Sequence, residues 1–251
     1  MEYRYLGNRS IKVSILGLGT VQLGRDKGTA YKKSYALPSH QEAIALIDQA
    51  EKLGINLIDT APSYGVSESL IGTLIQNNRD RWVVCSKVGE EFDGKKSTFD
   101  FTGDSIRKSI ERSVKRLRSD YLDIALIHSD GNDLDILDTW RALETLQELQ
   151  LRGLIKAVGI SHKTIDGAKR AISLGADVIM TTLNHNAQKE GKIIELASQR
   201  GCGVLIKKPL ARGYRGPADL SWIAKNPGVS SAIVGTINPE HLVENARWIC
   251  S

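Results

Sequence analysis

Eight times along this 251-residue chain a short, almost wholly apolar run gives way to a stretch with apolar residues at helical spacing, and this alternation restricts the fold more than any other feature. The runs are SILGLGT, NLIDTA, WVVCSKV, YLDIALIHS, IKAVGIS, DVIMTTLN, GVLIKKPL and SSAIVGT. The helical stretches between and after them begin at HQEAIALIDQAEKLG and end at NPEHLVENARWI; one of them, DILDTWRALETLQELQLRG, reads as a single long helix over 135–153. Gly54, Gly153, Gly175 and Gly201 follow helix ends, where a left-handed residue is needed. Strands apolar on both faces must be covered on both sides, which implies a parallel sheet wrapped by helices. Eight such units predict an α/β fold, a closed (β/α)8 TIM barrel, as a single domain over residues 1–251. Gly7 and Asn8 inside YRYLGNRSIKVS add an N-terminal β-hairpin.

In such a barrel, chemistry collects at the C-terminal ends of the strands. That places Asp59 and Tyr64 beyond the second strand, Lys87 at the end of the third and His128 at the end of the fourth, all facing one mouth. Singly, each has a plainer reading, as a turn, a rim aromatic or a lysine reaching water. Together they form a proton-donating site. A phenol has a reference pKa near 10 and is a weak acid at neutral pH unless its anion is stabilised. An ammonium at about 4 Å, at an effective dielectric of about 20, contributes roughly 4 kcal/mol before desolvation. Asp59 holds Lys87 charged in this reading, and neutral His128 orients a carbonyl toward Tyr64.

Reducing a carbonyl also needs a hydride, which no side chain supplies and a nicotinamide does. The GLGT segment lacks the third glycine of a Rossmann fingerprint, since Gln22 stands there. The loops after the seventh and eighth strands, with a helix starting in TINPEHL, are the phosphate site expected of a barrel, and Lys207, Lys208 and Arg212 stand nearby. Because neighbouring strand residues face opposite ways, only one of the two lysines is expected to point inward.

The DTAPSYG motif, the lysine of CSKVG and the histidine of LIHSD resemble the catalytic tetrad of the aldo-keto reductase family, and the resemblance runs along essentially the whole chain. It implies Tyr64 as general acid, Lys87 and Asp59 as the groups that tune it, and His128 as the residue that positions the substrate. The implied cofactor is NADPH, with NADH possible, extended across the barrel mouth. VGISH implies Ser161 and His162 near the carboxamide, and GTINPEHLVEN implies adenosine-phosphate roles for Thr236, Asn238, His241, Glu244 and Asn245. The expected cofactor-binding set also takes in Gly19, Thr20, Asn184, Lys208, Pro209, Leu210, Arg212 and Gly235.

The chain departs from the family pattern at Met180 and Leu183, where a glutamine and a tyrosine stacking on the nicotinamide are common. His241 and Gly235 stand where many NADP-preferring members have arginine and lysine, which leaves Lys207, Lys208 or Arg212 to compensate. The chain stops soon after the last helix, without the family's long C-terminal loop, and long insertions at 24–39 and 89–104 stand in its place. Tyr31, Tyr35 and Phe92 from these insertions are expected substrate-loop residues, either on surface loops or on a lid, and they point to an apolar or aromatic carbonyl.

Other classes are narrowed by composition. Lys and Arg number 34 against 29 Asp and Glu, a net charge of +5 with no basic tail. The densest cluster, KKPLARGYR, suits a compact phosphate-bearing ligand rather than nucleic acid. No apolar run nears the roughly 18 to 20 residues of a membrane helix, and no apolar leader opens the chain, so no membrane association and a cytoplasmic location are expected. Cys85, Cys202 and Cys250 form neither a disulfide framework nor a metal pattern, so no metal is expected. Two rivals share the barrel: a Schiff-base lyase or aldolase using Lys87, and a weakly catalytic or non-catalytic nicotinamide-sensing regulatory subunit. The substrate's identity and the oligomeric state are left open at this stage.

Overall fold

The computed structural model describes residues 1–29 and 31–251. An antiparallel hairpin, β1 (Tyr3–Leu6) and β2 (Arg9–Ser14), precedes β3 (Leu16–Gly19), and Gly7 at φ 56 makes its turn. In chain order follow α1 (Val21–Gly24), α2 (His40–Lys52), β4 (Leu57–Asp59), α3 (Ser67–Ile75), β5 (Val83–Val88), β6 (Glu90–Phe92), β7 (Ser97–Phe99), α4 (Gly103–Arg116) and β8 (Leu122–His128). The second half comprises α5 (Asp133–Asp138), α6 (Ala142–Leu151), β9 (Ile155–Ser161), α7 (Ile165–Ser173), β10 (Val178–Thr182), α8 (Gly191–Gln199), β11 (Gly203–Lys207), α9 (Asp219–Ala224), β12 (Ser231–Gly235) and α10 (Pro239–Ile249). Strands β3, β4, β5, β8, β9, β10, β11 and β12 are parallel and close on themselves, β12 pairing β3 from Ala232 against Leu16 to Gly235 against Gly19. All eight predicted strands are present, and the N-terminal hairpin stands as expected.

Local sequence explains several helix boundaries. Ser39 and Glu42 form a reciprocal capping box at the start of α2, and Thr102 and Thr164 cap α4 and α7. Gly54, Gly153, Gly175 and Gly201 all take positive φ, between 68° and 83°, as their positions after helices predict. Two expectations need correction. The single helix over 135–153 is two helices, α5 and α6, broken where Arg141 adopts φ 51. Residues 89–104 are not merely a loop: β6 and β7 pair antiparallel there, Glu90 opposite Phe99.

Packing sorts into two layers because the side-chain period of a strand is two. Leu57, Cys85, Ile124, Leu126, Ala157, Val178, Met180, Leu205 and Ile233 face the barrel interior, and Leu6 and Val13 of the hairpin join the same cluster. The alternate residues, among them Ile58, Val84, Ile127, Ile160, Ile179 and Ile206, pack outward against the helices. This parity decides which strand-end residue reaches the mouth. Stepping by two from the interior residues leads to Asp59, Lys87, His128, Ser161, Lys207 and Gly235.

Barrel closure depends on close approach at Gly159 on β9, where a β-carbon would come within 1.7 Å of the Val178 carbonyl oxygen on β10. Gly159→Ala should therefore lower stability by about 1–3 kcal/mol and the thermal midpoint by about 3–10 °C, readable by scanning calorimetry.

Candidate active site

Parity delivers the side chains to a cavity of about 850 Å³ at the C-terminal ends of the strands. Lys87 comes from the inward row of β5 and is 1% exposed. Its Nζ donates to Asp59 Oδ1 at 2.6 Å and to the Thr60 carbonyl at 2.9 Å. Burial is the largest single influence and favours the neutral amine, but the Asp59 carboxylate, Tyr64 and Cys85, all acting in the opposite direction, together hold the Lys87 pKa well above the ordinary lysine value. Tyr64 ends the short 3-10 turn Pro62–Tyr64 just past β4, and its ring centroid lies 4.8 Å from the Lys87 ammonium. The His128 ring faces it edge-on with centroids 6.3 Å apart. The structure thus brings the four residues expected at the mouth onto one cavity wall.

One electrostatic expectation reverses. Lys87 does lower the Tyr64 pKa, but burial raises it by more and Asp59 adds to the rise, so the phenol is pushed up to about 12. Tyr64 is held as a protonated donor over the whole physiological range. The ammonium softens the cost of forming the phenolate rather than making the phenol an ordinary acid.

Of the residues expected to hold a cofactor, Gly19, Thr20, Ser161, Lys208, Pro209, Leu210, Arg212, Gly235, Thr236, Asn238, His241, Glu244 and Asn245 line the cavity. Asn238 also caps α10, its Oδ1 accepting from Glu240 N at 2.8 Å. His162 does not line it, because it follows inward Ser161 by one residue. Both its ring nitrogens are buried without a partner among the described residues, and burial together with the Lys207 ammonium pushes its pKa down to about 4. Asn184 stands behind the wall, donating from Nδ2 to the Lys208 carbonyl at 3.0 Å.

The expectation that only one of the paired lysines faces inward fails, since Lys207 and Lys208 both line the cavity. Strand β11 ends at Lys207, and Lys208 takes φ 55, so alternation no longer applies to it. Leu183 is buried in the outer layer between barrel and helices, so a ring at that position would not reach the mouth; Met180 does. Of the expected substrate-loop residues only Tyr31 lines the cavity, its hydroxyl set where a β-carbon on Gly235 would come within 2.5 Å. Tyr35 instead donates to the Arg25 carbonyl at 2.5 Å and packs edge-on to Tyr31, while Phe92 lies beneath the Arg25 guanidinium at 3.6 Å.

Sequence reasoning missed Glu90. It opens the β6–β7 hairpin, accepts hydrogen bonds from Ser63 Oγ at 3.1 Å and Ser97 Oγ at 2.6 Å, and sets Oε2 2.7 Å from His128 Nδ1. Burial opposes its ionisation, but His128 and the two serines prevail and hold the carboxyl down at about 2. Gln22 and Arg25 also line the mouth, and the buried Gln22 Oε1 has no partner among the described residues. No motif marked any of these, because they follow Gly89 or lie in α1 and its exit.

The barrel with these side chains at its mouth defines a class of oxidoreductase, and comparison with known proteins agrees. The sequence model of the Aldo/keto reductase family matches residues 15–219. L-galactose dehydrogenase of Arabidopsis thaliana is 31% identical over 92% of this chain and 73% of its own length. NADH-specific methylglyoxal reductase of Escherichia coli (strain K12) is 30% identical over 83% of this chain and 67% of its own. A crystal structure from Pseudomonas aeruginosa, assigned to the aldo-keto reductases, superposes with a TM-score of 0.91 at 46% identity, covering 98% of this chain and 93% of that one. An aldo-keto reductase from Bacillus halodurans in its holo form shares the fold with a TM-score of 0.87 at 22% identity, over 100% of this chain and 91% of that one. The chain belongs to the aldo-keto reductase family of oxidoreductases.

Two electrostatic predictions follow from these contacts. Asp59→Asn leaves the Lys87 ammonium buried without its counter-charge and should cost about 3–5 kcal/mol in urea unfolding. Lys207, whose pKa burial and the Lys208 charge push down to about 7, is protonated in the unfolded chain up to the ordinary lysine value of 10.5. Between those pH values the unfolded state binds the extra proton, so stability rises with pH. Lys207→Met should flatten that rise in thermal scans taken from pH 7 to 10.

Proposed function

We propose that this chain is a nicotinamide-dependent aldo-keto reductase that reduces aldehydes or ketones to alcohols, with Tyr64 as general acid, Lys87 and Asp59 tuning it, and His128 orienting the reacting oxygen. The observation that carries the reading is the buried Asp59–Lys87 pair, 2.6 Å apart, under a Tyr64 ring on the wall of a large strand-end cavity. Such an arrangement stabilises negative charge where it develops on a phenol giving up its proton.

A cavity of about 850 Å³ falls within the range of small-molecule and cofactor sites. Its unpartnered Gln22 oxygen and its row of cations fit a ligand carrying both an amide and phosphates. Thr236, Asn238, His241, Asn245, Lys208 and Arg212 would hold the phosphates and adenosine, and Ser161 the carboxamide end. His162, turned outward, supports that end from behind. When bound, a reduced nicotinamide supplies the hydride that no side chain can.

The chain's own groups do the rest. Tyr64, protonated and desolvated, donates to the carbonyl oxygen as charge builds there, and the Lys87 ammonium stabilises the phenolate left behind. Asp59 keeps that ammonium charged and aimed. The Tyr31 hydroxyl sits against Gly235 on the same cavity wall.

Lys208 and Arg212 support NADPH as the preferred cofactor, with NADH accepted; Glu244 on the same cavity wall is the residue that most favours a bare ribose. Because Tyr35 and Phe92 are engaged away from the cavity, while Arg25, Glu90, Lys207 and Gln22 line it, a polar oxygenated carbonyl compound fits better than an aromatic one. The names of L-galactose dehydrogenase and methylglyoxal reductase point the same way. The Asp59 pair counts against Lys87 as a Schiff-base nucleophile, since it stabilises the non-nucleophilic ammonium.

Stopped assays with NADPH or NADH and a panel of small aldehydes and hydroxyaldehydes should show oxidation of the reduced nicotinamide. Tyr64→Phe should lower kcat by about 10² to 10⁴-fold while leaving cofactor affinity, read by fluorescence titration, unchanged. Tight cofactor binding with no turnover on any carbonyl would instead favour the sensing subunit, and NADH binding tenfold tighter than NADPH would reverse the cofactor preference.

A further inference from the structure

Lys207 is a cavity amine that the proposed reduction leaves without a part. It ends β11 on the inward row, lines the cavity and keeps partial access to it. Its Nζ donates to Ser161 Oγ at 2.9 Å and to the His162 carbonyl at 2.6 Å, and to no other group among the described residues. Asp133, the carboxylate that acts on it, is engaged elsewhere, accepting from Lys163 N, Thr164 N and Thr164 Oγ1. Lys87 by contrast has a carboxylate at 2.6 Å. The two cavity lysines are therefore built for opposite states.

Two acceptors match the two N–H groups of a neutral amine, whereas an ammonium would keep a third N–H with no acceptor in the described protein. With both hydrogens held, the nitrogen lone pair is left free on a side chain that lines the cavity. We propose that Lys207 is a carbonyl-capturing amine, forming an imine with a small aldehyde that carries an acidic group. The Nζ lone pair attacks the carbonyl carbon, a C–N bond forms, and a proton passes from nitrogen to the former carbonyl oxygen. Loss of that oxygen as water leaves the C=N bond, and hydrolysis reverses the step. Lys163, Lys208 and Arg212 line the same cavity and supply the attraction for a carboxylate or phosphate on the aldehyde.

The charged and titratable groups around Lys207 are Lys208 just past β11, Lys87 on β5, Lys163 and His162 past β9, His128 on β8 and Asp133 on α5. Burial and the neighbouring cations push its pKa down to about 7, with Asp133 opposing. Most of the amine is then neutral at pH 7.5, against about one part in a thousand for a lysine at the ordinary 10.5. A desolvated lysine beside another cation is the usual form of an activated amine nucleophile.

The test is reductive trapping without nicotinamide. Protein at pH 7.5 is mixed with glyoxylate and sodium cyanoborohydride, which reduces an imine to a stable secondary amine, and labelled lysines are mapped by peptide mass spectrometry. Lys207 should be labelled at least about tenfold faster than the exposed Lys95 and Lys96, and Lys207→Arg should lose the fast label while those two keep theirs. Labelling of Lys207 at the rate of Lys95 and Lys96 overturns the proposal, and so does equally fast labelling of Lys87.

Two further readings come from the wild-type protein alone. The Lys207 labelling rate should rise with a midpoint near pH 7, and a midpoint near 10 overturns the assignment. Its preference over Lys95 and Lys96 should be several-fold greater with glyoxylate than with acetaldehyde, and an equal preference overturns the acidic class of substrate. Nicotinamide-dependent turnover with no trapping at Lys207 sinks this inference alone, whereas trapping with no turnover supports it and counts against the reductase reading.

Discussion

An ammonium inside a closed barrel is tolerable only with a counter-charge and a full set of acceptors, and the rest of the mouth is arranged around that requirement at Lys87. Asp59 and the Thr60 carbonyl satisfy it from β4 and its exit, the neighbouring strand, at 2.6 and 2.9 Å. The register that makes this possible is the pairing of β4 with β5, Asp59 opposite Cys85, two residues before Lys87. The same exit carries the chain through Pro62–Tyr64 and returns the phenol over the ammonium. One buried ion pair therefore couples strand pairing to the placement of the Tyr64 phenol.

The cavity around this pair is electrostatically uneven. Lys207, Lys208 and Arg212 crowd one lip, and burial first, then neighbouring positive charge, with Lys208 acting on Lys207 and Arg212 on Lys208, depresses both lysines. Lys207 is stitched to the end of β9, across the intervening β10, by hydrogen bonds from its Nζ to Ser161 Oγ at 2.9 Å and the His162 carbonyl at 2.6 Å. Across the mouth, Glu90 stands as a carboxylate beside His128, braced by Arg25. Anionic parts of a ligand are drawn to the β11 side, away from the Glu90 carboxylate.

The eight-unit barrel, the hairpin, the four helix-ending glycines and the four residues Asp59, Tyr64, Lys87 and His128 were all legible in the sequence. Each rests on a period or a terminus: two-residue alternation, helical spacing, a polar residue closing an apolar run. The misreadings share the opposite character. The break at Arg141 needs a left-handed arginine that no local signal marks, and the β6–β7 hairpin lies in a segment rich in charge and glycine. Lys208 was misjudged because β11 ends at Lys207, three residues before the end of the run GVLIKKPL. Leu183 was misjudged because resemblance names a position, whereas only packing shows which layer a side chain enters.

Residue order alone determined the architecture and which polar residues stand at its mouth, because strand parity and strand ends are properties of local pattern and the barrel converts them directly into position. Which groups touch was decided by tertiary structure. Glu90 meets His128 across 38 positions of chain only because the β6–β7 hairpin folds over the end of β8. The balance of burial against the Lys87 charge, which leaves Tyr64 a firmly protonated phenol, likewise depends on how much water the closed mouth excludes. Desolvation is a property of the assembled surface, and no spacing of residues along the chain encodes it.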